Sequence, residues 1–218
     1  MNKEAIEDKI RKTLEWAYEK ALDPGVRHVD SAEDLANKFR KPSGSLENQV
    51  NALIRGQNTR TGTAGFVSGL GGFVFLPVTL PTTISYGIFL QVRMIAAIAI
   101  MGDYDVRDEK VKTLVLACLC GNAVRDLLTD VGIQAGVNLT QRMVYGIPIE
   151  VIREINKAIG FKLVAKFGQK GGIHLGRLIP VVGGIACGAM DALANNVIGK
   201  VAKDVFIHKK NISMLNLP

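Results

Sequence analysis

Between Thr61 and Val92 the chain carries no charged side chain, and Arg93 is the one charge between Arg60 and Asp103. The middle of this run reads Leu76-Pro77-Val78-Thr79-Leu80-Pro81. Proline has no amide hydrogen, clashes with the carbonyl four residues back and pushes its predecessor out of the helical region, so a continuous helix cannot pass through both prolines. The run is therefore expected to form a hairpin of two apolar arms, Gly62 to Leu76 and Thr82 to Met101. Such a hairpin is either enclosed by the rest of the protein or dips into a bilayer.

Length and charge argue against crossing. About 15 helical residues in the first arm reach roughly 22 Å, short of the ~30 Å hydrocarbon core. The second arm is long enough but holds Arg93 near its middle, which costs ~2.5 to 3.5 kcal/mol on insertion scales. Small residues in the first arm fall four apart, as in Thr61, Gly65, Gly69 and in Ala64, Ser68, Gly72. That spacing lets another backbone approach closely and predicts dense packing.

The remainder reads as an all-α protein without a strand ladder. Ile10, Leu14, Tyr18 and Leu22 recur at helical spacing, with Ala17 and Ala21 beside them, which predicts an amphipathic helix over residues 3 to 22 ended by Asp23-Pro24-Gly25. Ser31 followed by Asp34 predicts a capped start to a short second helix. From Ser45 the pattern Leu46, Val50, Leu53, Ile54 predicts a helix running into the apolar segment, and Gly102 is the expected stop of the second arm. Val106 to Asp130 reads as one helix, Gln141 to Ile147 as a short one before Pro148, and Val151 to Ile159 as another that ends at Gly160. A last long helix follows Pro180, with Lys200 and Lys203 on its polar side and Asp191 as an isolated acid. Residues 1–44 are expected to form N-terminal amphipathic helices, 45–208 a helical core in one domain with them, and 209–218 a tail.

Hydrophobic residues make up 48% and the mean hydropathy is +0.19, greasy for a soluble protein, whereas 22% charged residues is too many for a polytopic membrane protein. The net charge of +7 is concentrated at one end: residues 151–218 hold 10 basic side chains against 3 acidic. That asymmetry points to a polyanionic partner. An anionic membrane surface or a membrane protein fits better than nucleic acid, because Phe161, Phe167 and Phe206 are the sole aromatics of this region and no docking motif accompanies them. The N-terminus lacks a signal-length apolar stretch and the three cysteines have no framework spacing, so the expected location is the cytoplasm, peripheral to the inner face of the membrane.

Nothing in the pattern rises to catalysis. His28, His174 and His208 stand apart from any ligand set, the glycine runs at residues 69–72 and 183–188 lack the Lys-Ser or Lys-Thr of a phosphate loop, and no serine sits in an elbow beside a base. No cofactor or metal is expected. The candidate binding residues are Phe66, Phe73, Phe75, Leu76, Pro77, Leu80 and Pro81 at the hairpin turn, with Lys162, Lys166 and Lys170 as the basic face. Arg93 and Asp191, each costly in an apolar helix unless satisfied, are candidate buried polar groups that pair with one another or with backbone.

The stretches LEWAYEKALD, GFVSGLGGFVFLPVTLP, RMIAAIAIMGDYDVRDEKVKTLV, GFKLVAKFGQKGG and IPVVGGIACGAMDALANNVIGKVAKDVF together resemble the EcsC family of bacterial proteins, over nearly everything from Leu14 to Ile207. The resemblance implies no reaction, since the family has no established activity; its name comes from a gene beside an ABC transporter concerned with protein secretion and processing. The family often carries an acid near the second proline, where this chain has Thr79, and small glycine-like residues where it has Cys187. The close of the chain is also loosely similar to helical domains of membrane-associated GTPases. Two readings follow: a non-enzymatic peripheral membrane protein attached through Gly62 to Met101 and the basic C-terminal third, accessory to transport or secretion, or a soluble helical interaction module with the hairpin buried.

Overall fold

The computed structural model describes residues 3–25, 30–62, 82–133, 139–164 and 183–207. Among them are nine helices and no strand: α1 (Lys3–Leu22), α2 (Ala32–Phe39), α3 (Leu46–Gly62), α4 (Thr82–Met101), α5 (Glu109–Cys118), α6 (Ala123–Asp130), α7 (Gln141–Tyr145), α8 (Ile149–Leu163) and α9 (Gly183–Phe206). The protein is all-α, as its apolar periodicity predicts.

Local chemistry sets several of these boundaries. At the start of α2 the Ser31 hydroxyl accepts from the Asp34 amide at 3.1 Å, and the Asp34 carboxylate accepts from the Ser31 amide at 3.0 Å. This reciprocal box satisfies two amides that the helix leaves unbonded. The Ser31 amide, and then its hydroxyl, hold the Asp34 carboxyl below its usual pKa. A depressed carboxylate adds stability that is present above its unfolded value and lost as pH falls through the folded one. Ser31→Ala is expected to cost about 1 kcal/mol, read as a lower urea midpoint at unchanged slope.

Two boundaries depart from the sequence pattern. Val106 to Asp130 is two helices, because the amides of Leu119, Cys120 and Gly121 bond three residues back to Leu116, Ala117 and Cys118, and Gly121 then takes a φ of 62°. The turn lets Val124, Leu127 and Leu128 face the core from a new direction. Conversely, α8 runs through Gly160 to Leu163. A glycine in a helix costs about 1 kcal/mol, less than the roughly 1.5–3 kcal/mol gained by burying the Leu163 side chain.

Helix α4 is the axis of the bundle. Ile88, Phe89, Val92, every residue from Met94 to Ala99, and Met101 are buried, with α1, α2, α3, α5 and α9 packed around them. A helix apolar on all faces needs such an enclosure. The second arm of the expected hairpin is thus core over most of its length. The first arm and the proline turn lie outside the described residues.

Side-chain contacts fix the helix directions. Lys203 donates to the Glu47 carboxylate at 3.0 Å and to the Asn51 carbonyl oxygen at 3.1 Å, and Asn58 donates to Asn196 at 3.4 Å. Helices α3 and α9 are therefore antiparallel. Lys203, expected on a solvated face, is drawn against α3 because Glu47 and Asn51 sit one turn apart and both offer acceptors. Gly199 faces Ile54 so closely that an added Cβ would lie 2.9 Å from it. At the other side of α9, Phe206 meets Tyr104 edge-on with centroids 5.2 Å apart. The C-termini of α4 and α9 thus lie together, near the N-terminus of α3.

Candidate functional site

Those directions put the end of α3 at Gly62, the start of α4 at Thr82 and the start of α9 at Gly183 at one end of the bundle. Thr82 to Val92 of α4 and Gly183 to Met190 of α9 contain no charged residue. The chain between Gly62 and Thr82, also free of charge, leaves and re-enters the bundle here. The charge-free pole is thus formed by the first turns of α4 and α9, with Arg60 in the last turn of α3 and Asp191 just beyond Met190 as the nearest charges in sequence. Neither α4 nor α9 announces it alone, since it arises only when their N-terminal halves are laid side by side.

An aromatic group and a polar layer lie beneath the pole. The Phe89 ring stands 6.1 Å from Trp16 and 5.9 Å from Tyr86, and Trp16 and Tyr86 are half-buried. Arg93 lies one helical turn beyond Phe89, its guanidinium carbon 5.4 Å from that ring's centroid. Although 5% exposed, Arg93 donates to the Asp30 carbonyl at 3.0 Å and to the Gln57 side-chain oxygen at 3.3 Å. Gln57 is itself buried, and these neutral acceptors and the aromatic face are among the groups that hold the cation. Gln91 of α4 and Asn195 of α9 each also carry a buried side-chain oxygen. The sequence marks Arg93 as buried and polar but gives no sign of Gln57, because glutamine at that point of α3 reads as solvated.

The remaining candidates separate. Phe66, Phe73, Phe75, Leu76, Pro77, Leu80, Pro81, Lys166 and Lys170 lie outside the described residues. Lys162 is half-buried in the last turn of α8, which docks on α1, α5 and α6, whereas the pole is built by α3, α4 and α9. Asp191 follows the charge-free stretch Gly183 to Met190 in α9, and its side chain lies outside those described. The bonds of Arg93 to Asp30 and Gln57 supply part of the satisfaction that a buried charge requires, and its expected pairing with Asp191 lies outside the described residues.

For chemistry, the described residues offer little. Cys118 is fully buried, and burial drives its thiol pKa well upward, away from the thiolate that a nucleophile needs. Cys120 is half-buried. Tyr18 hydroxyl donates to the Val106 carbonyl at 2.6 Å and Tyr104 to the Leu139 carbonyl, so both phenols serve as ties between elements. Among the described residues no three histidine, cysteine or acidic side chains gather as a metal site, and no helix is long and apolar enough to cross a membrane.

No family model, no curated protein and no solved structure matches the chain.

Proposed function

We propose that this is a non-enzymatic, membrane-associated helical protein that attaches peripherally through its uncharged pole. The observation that carries the reading is the convergence of Gly62, Thr82 and Gly183 at one end of the bundle, with no charge in the adjoining turns of α4 and α9. Trp16 and Tyr86 add to it. Half-buried tryptophan and tyrosine near an apolar surface suit the head-group level of a bilayer, where one end of the ring is wet and the other is not. The excess of basic residues after position 150 supplies attraction to anionic lipid. The EcsC resemblance extends the proposal to an accessory role beside a transport or secretion apparatus at the cytoplasmic face.

A second reading, a soluble interaction module with the hairpin buried, draws on the complete enclosure of α4 from Met94 to Ala99. Trp16 is the one tryptophan in the chain, so its fluorescence reports on the pole without a label. With vesicles of phosphatidylglycerol and phosphatidylcholine at low salt, the protein is expected to sediment with the lipid and its emission to shift to the blue. Phosphatidylcholine alone should bind less, and salt should weaken the anionic component. Protein that stays in the supernatant with unchanged emission rejects attachment and favours the module.

A further inference from the structure

Helices α4 and α9 reach the pole with their N-termini, and they reach it together. Arg93 of α4 meets Gln57 and Asn196 of α9 meets Asn58, on consecutive residues of α3, while Gly102 and Phe206 meet at the other end. The two helices therefore run parallel. Their first residues, Thr82 and Gly183, lie roughly 17 Å and roughly 20 Å before the level of Arg93 and Asn196, at about 1.5 Å per residue. Each N-terminus leaves four amides unbonded by the helix and carries a partial positive charge. Side by side, the two ends add.

Neither end is neutralised by its own helix. The residues just before them, Pro81 and Val182, have no side-chain oxygen with which to cap an amide, and neither first turn holds an acid. Each of the other seven described helices has a capping side chain, an acid in its first turn, or both. Gly183 and Gly184 open α9, so no Cβ keeps a ligand from the backbone there. The C-terminus of α3 lies at the same pole, and Arg60 in its last turn brings a base to that end, as the dipole favours. Asp191, the acid nearest in sequence to Gly183, stands about two turns inside α9.

A buried side chain points to what these ends receive. Ser85, in the first turn of α4, is fully buried, and its hydroxyl has no hydrogen-bond partner. A serine within a helix can bond back to the carbonyl four residues earlier, and a buried hydroxyl without any bond is costly. Helical Cα–Cβ bonds tilt toward the N-terminus, so this hydroxyl is directed to the end of α4 where the amides of the first turn lie. Backbone amides and a hydroxyl together suit an anion that offers several oxygens. We propose that the paired N-termini of α4 and α9, with the Ser85 hydroxyl, bind a phosphate group, either within a lipid head group or as the free inorganic anion. The lipid as its source rests on the membrane reading above, whereas the site itself does not.

Inorganic phosphate, titrated into the full chain at constant ionic strength, is expected to raise the melting temperature saturably, where chloride does not. Ser85→Ala removes one donor without unpairing another group. Without phosphate it should melt no lower than the parent, while its phosphate affinity falls about tenfold, as for one lost bond to a charged group. Thr82→Asp, of nearly the same size, places a carboxylate at the first residue of α4 and should abolish the phosphate response. Circular dichroism establishes that both variants are folded. With phosphatidylglycerol vesicles, Ser85→Ala should bind several-fold more weakly than the parent and added phosphate should compete, which identifies lipid as the source. A phosphate response that depends on Ser85, in a protein that ignores vesicles, keeps the site for the free anion and rejects membrane attachment. A melting temperature that phosphate leaves unmoved, or moves equally in all three proteins, overturns the site. Vesicle binding unchanged in both variants would then leave attachment standing without it.

Discussion

Gly102→Ala is expected to destabilise the protein by about 3 kcal/mol, near the upper end of what overpacking usually costs. A Cβ at this position would lie 2.3 Å from the Phe206 carbonyl oxygen, 3.2 Å from the Tyr104 ring and 3.3 Å from the Ala99 carbonyl oxygen. The first of these is backbone and cannot rotate away. Phe206 is fully buried, its ring is held edge-on by Tyr104, and Ile207 behind it is buried too, so the end of α9 has no free direction in which to retreat. For a protein of this size the loss corresponds to a melting temperature lower by roughly 6–12 °C. Gly199→Ala is the informative contrast. Its added Cβ would approach side-chain atoms of Ile54 at 2.9–3.2 Å, and a side chain can shift where a carbonyl cannot. A Gly102→Ala protein as stable as the parent would mean that α4 and α9 do not meet as described.

The second large effect is at Arg93, where truncation to alanine should cost about 3 kcal/mol or more. Removing the guanidinium deletes its bonds to the part-buried Asp30 carbonyl and the buried Gln57 side chain, at ~1–3 kcal/mol for a buried polar group that loses a partner, and opens a void beside Phe89. Arg93→Lys should recover little of this. A lysine cannot reach two acceptors and the aromatic face at once with a rigid fork. Arg93→Leu combined with Gln57→Leu is expected to be more stable than the sum of the single losses predicts, because the pair removes donor and acceptor together. Chemical denaturation of the four proteins in the cycle measures this coupling. Strict additivity would show that the two side chains do not depend on each other.

The helical spacing made much of the architecture legible. Ile10, Leu14, Ala17, Tyr18 and Ala21 are buried as the stripe in residues 3 to 22 requires, and α4 begins and ends where the proline and Gly102 place it. The Ser31–Asp34 box is also readable, since its chemistry is local. What the residues did not reveal depends on partners distant in sequence. The turn at Gly121 is invisible to an apolar pattern that continues on both sides of it, and Lys203 looks solvated until Glu47 and Asn51 approach from α3. Gly160 misleads in the other direction, because a helix-weakening residue is tolerated where Leu163 beyond it is buried.

The candidate site followed the same division. Arg93 is conspicuous as a lone charge in an apolar helix, yet its acceptors come from α3 and from the chain just before α2. The charge-free pole joins the first turns of α4 and α9, which lie about a hundred residues apart in sequence. No periodicity within one segment encodes such assemblies. They emerge from the directions in which the helices run.

The packing of α9 against both α3 and α4 has a consequence for how the chain matures. While a nascent chain is still attached to the ribosome, α3 and α4 are synthesised well before the helix that covers them. The face of α3 that α9 covers, with Ile54 opposite Gly199, then waits until α9 emerges. Distant closures of this kind slow folding and leave sticky intermediates, so synthesis that stalls before α9 yields a species suited to chaperone capture or aggregation.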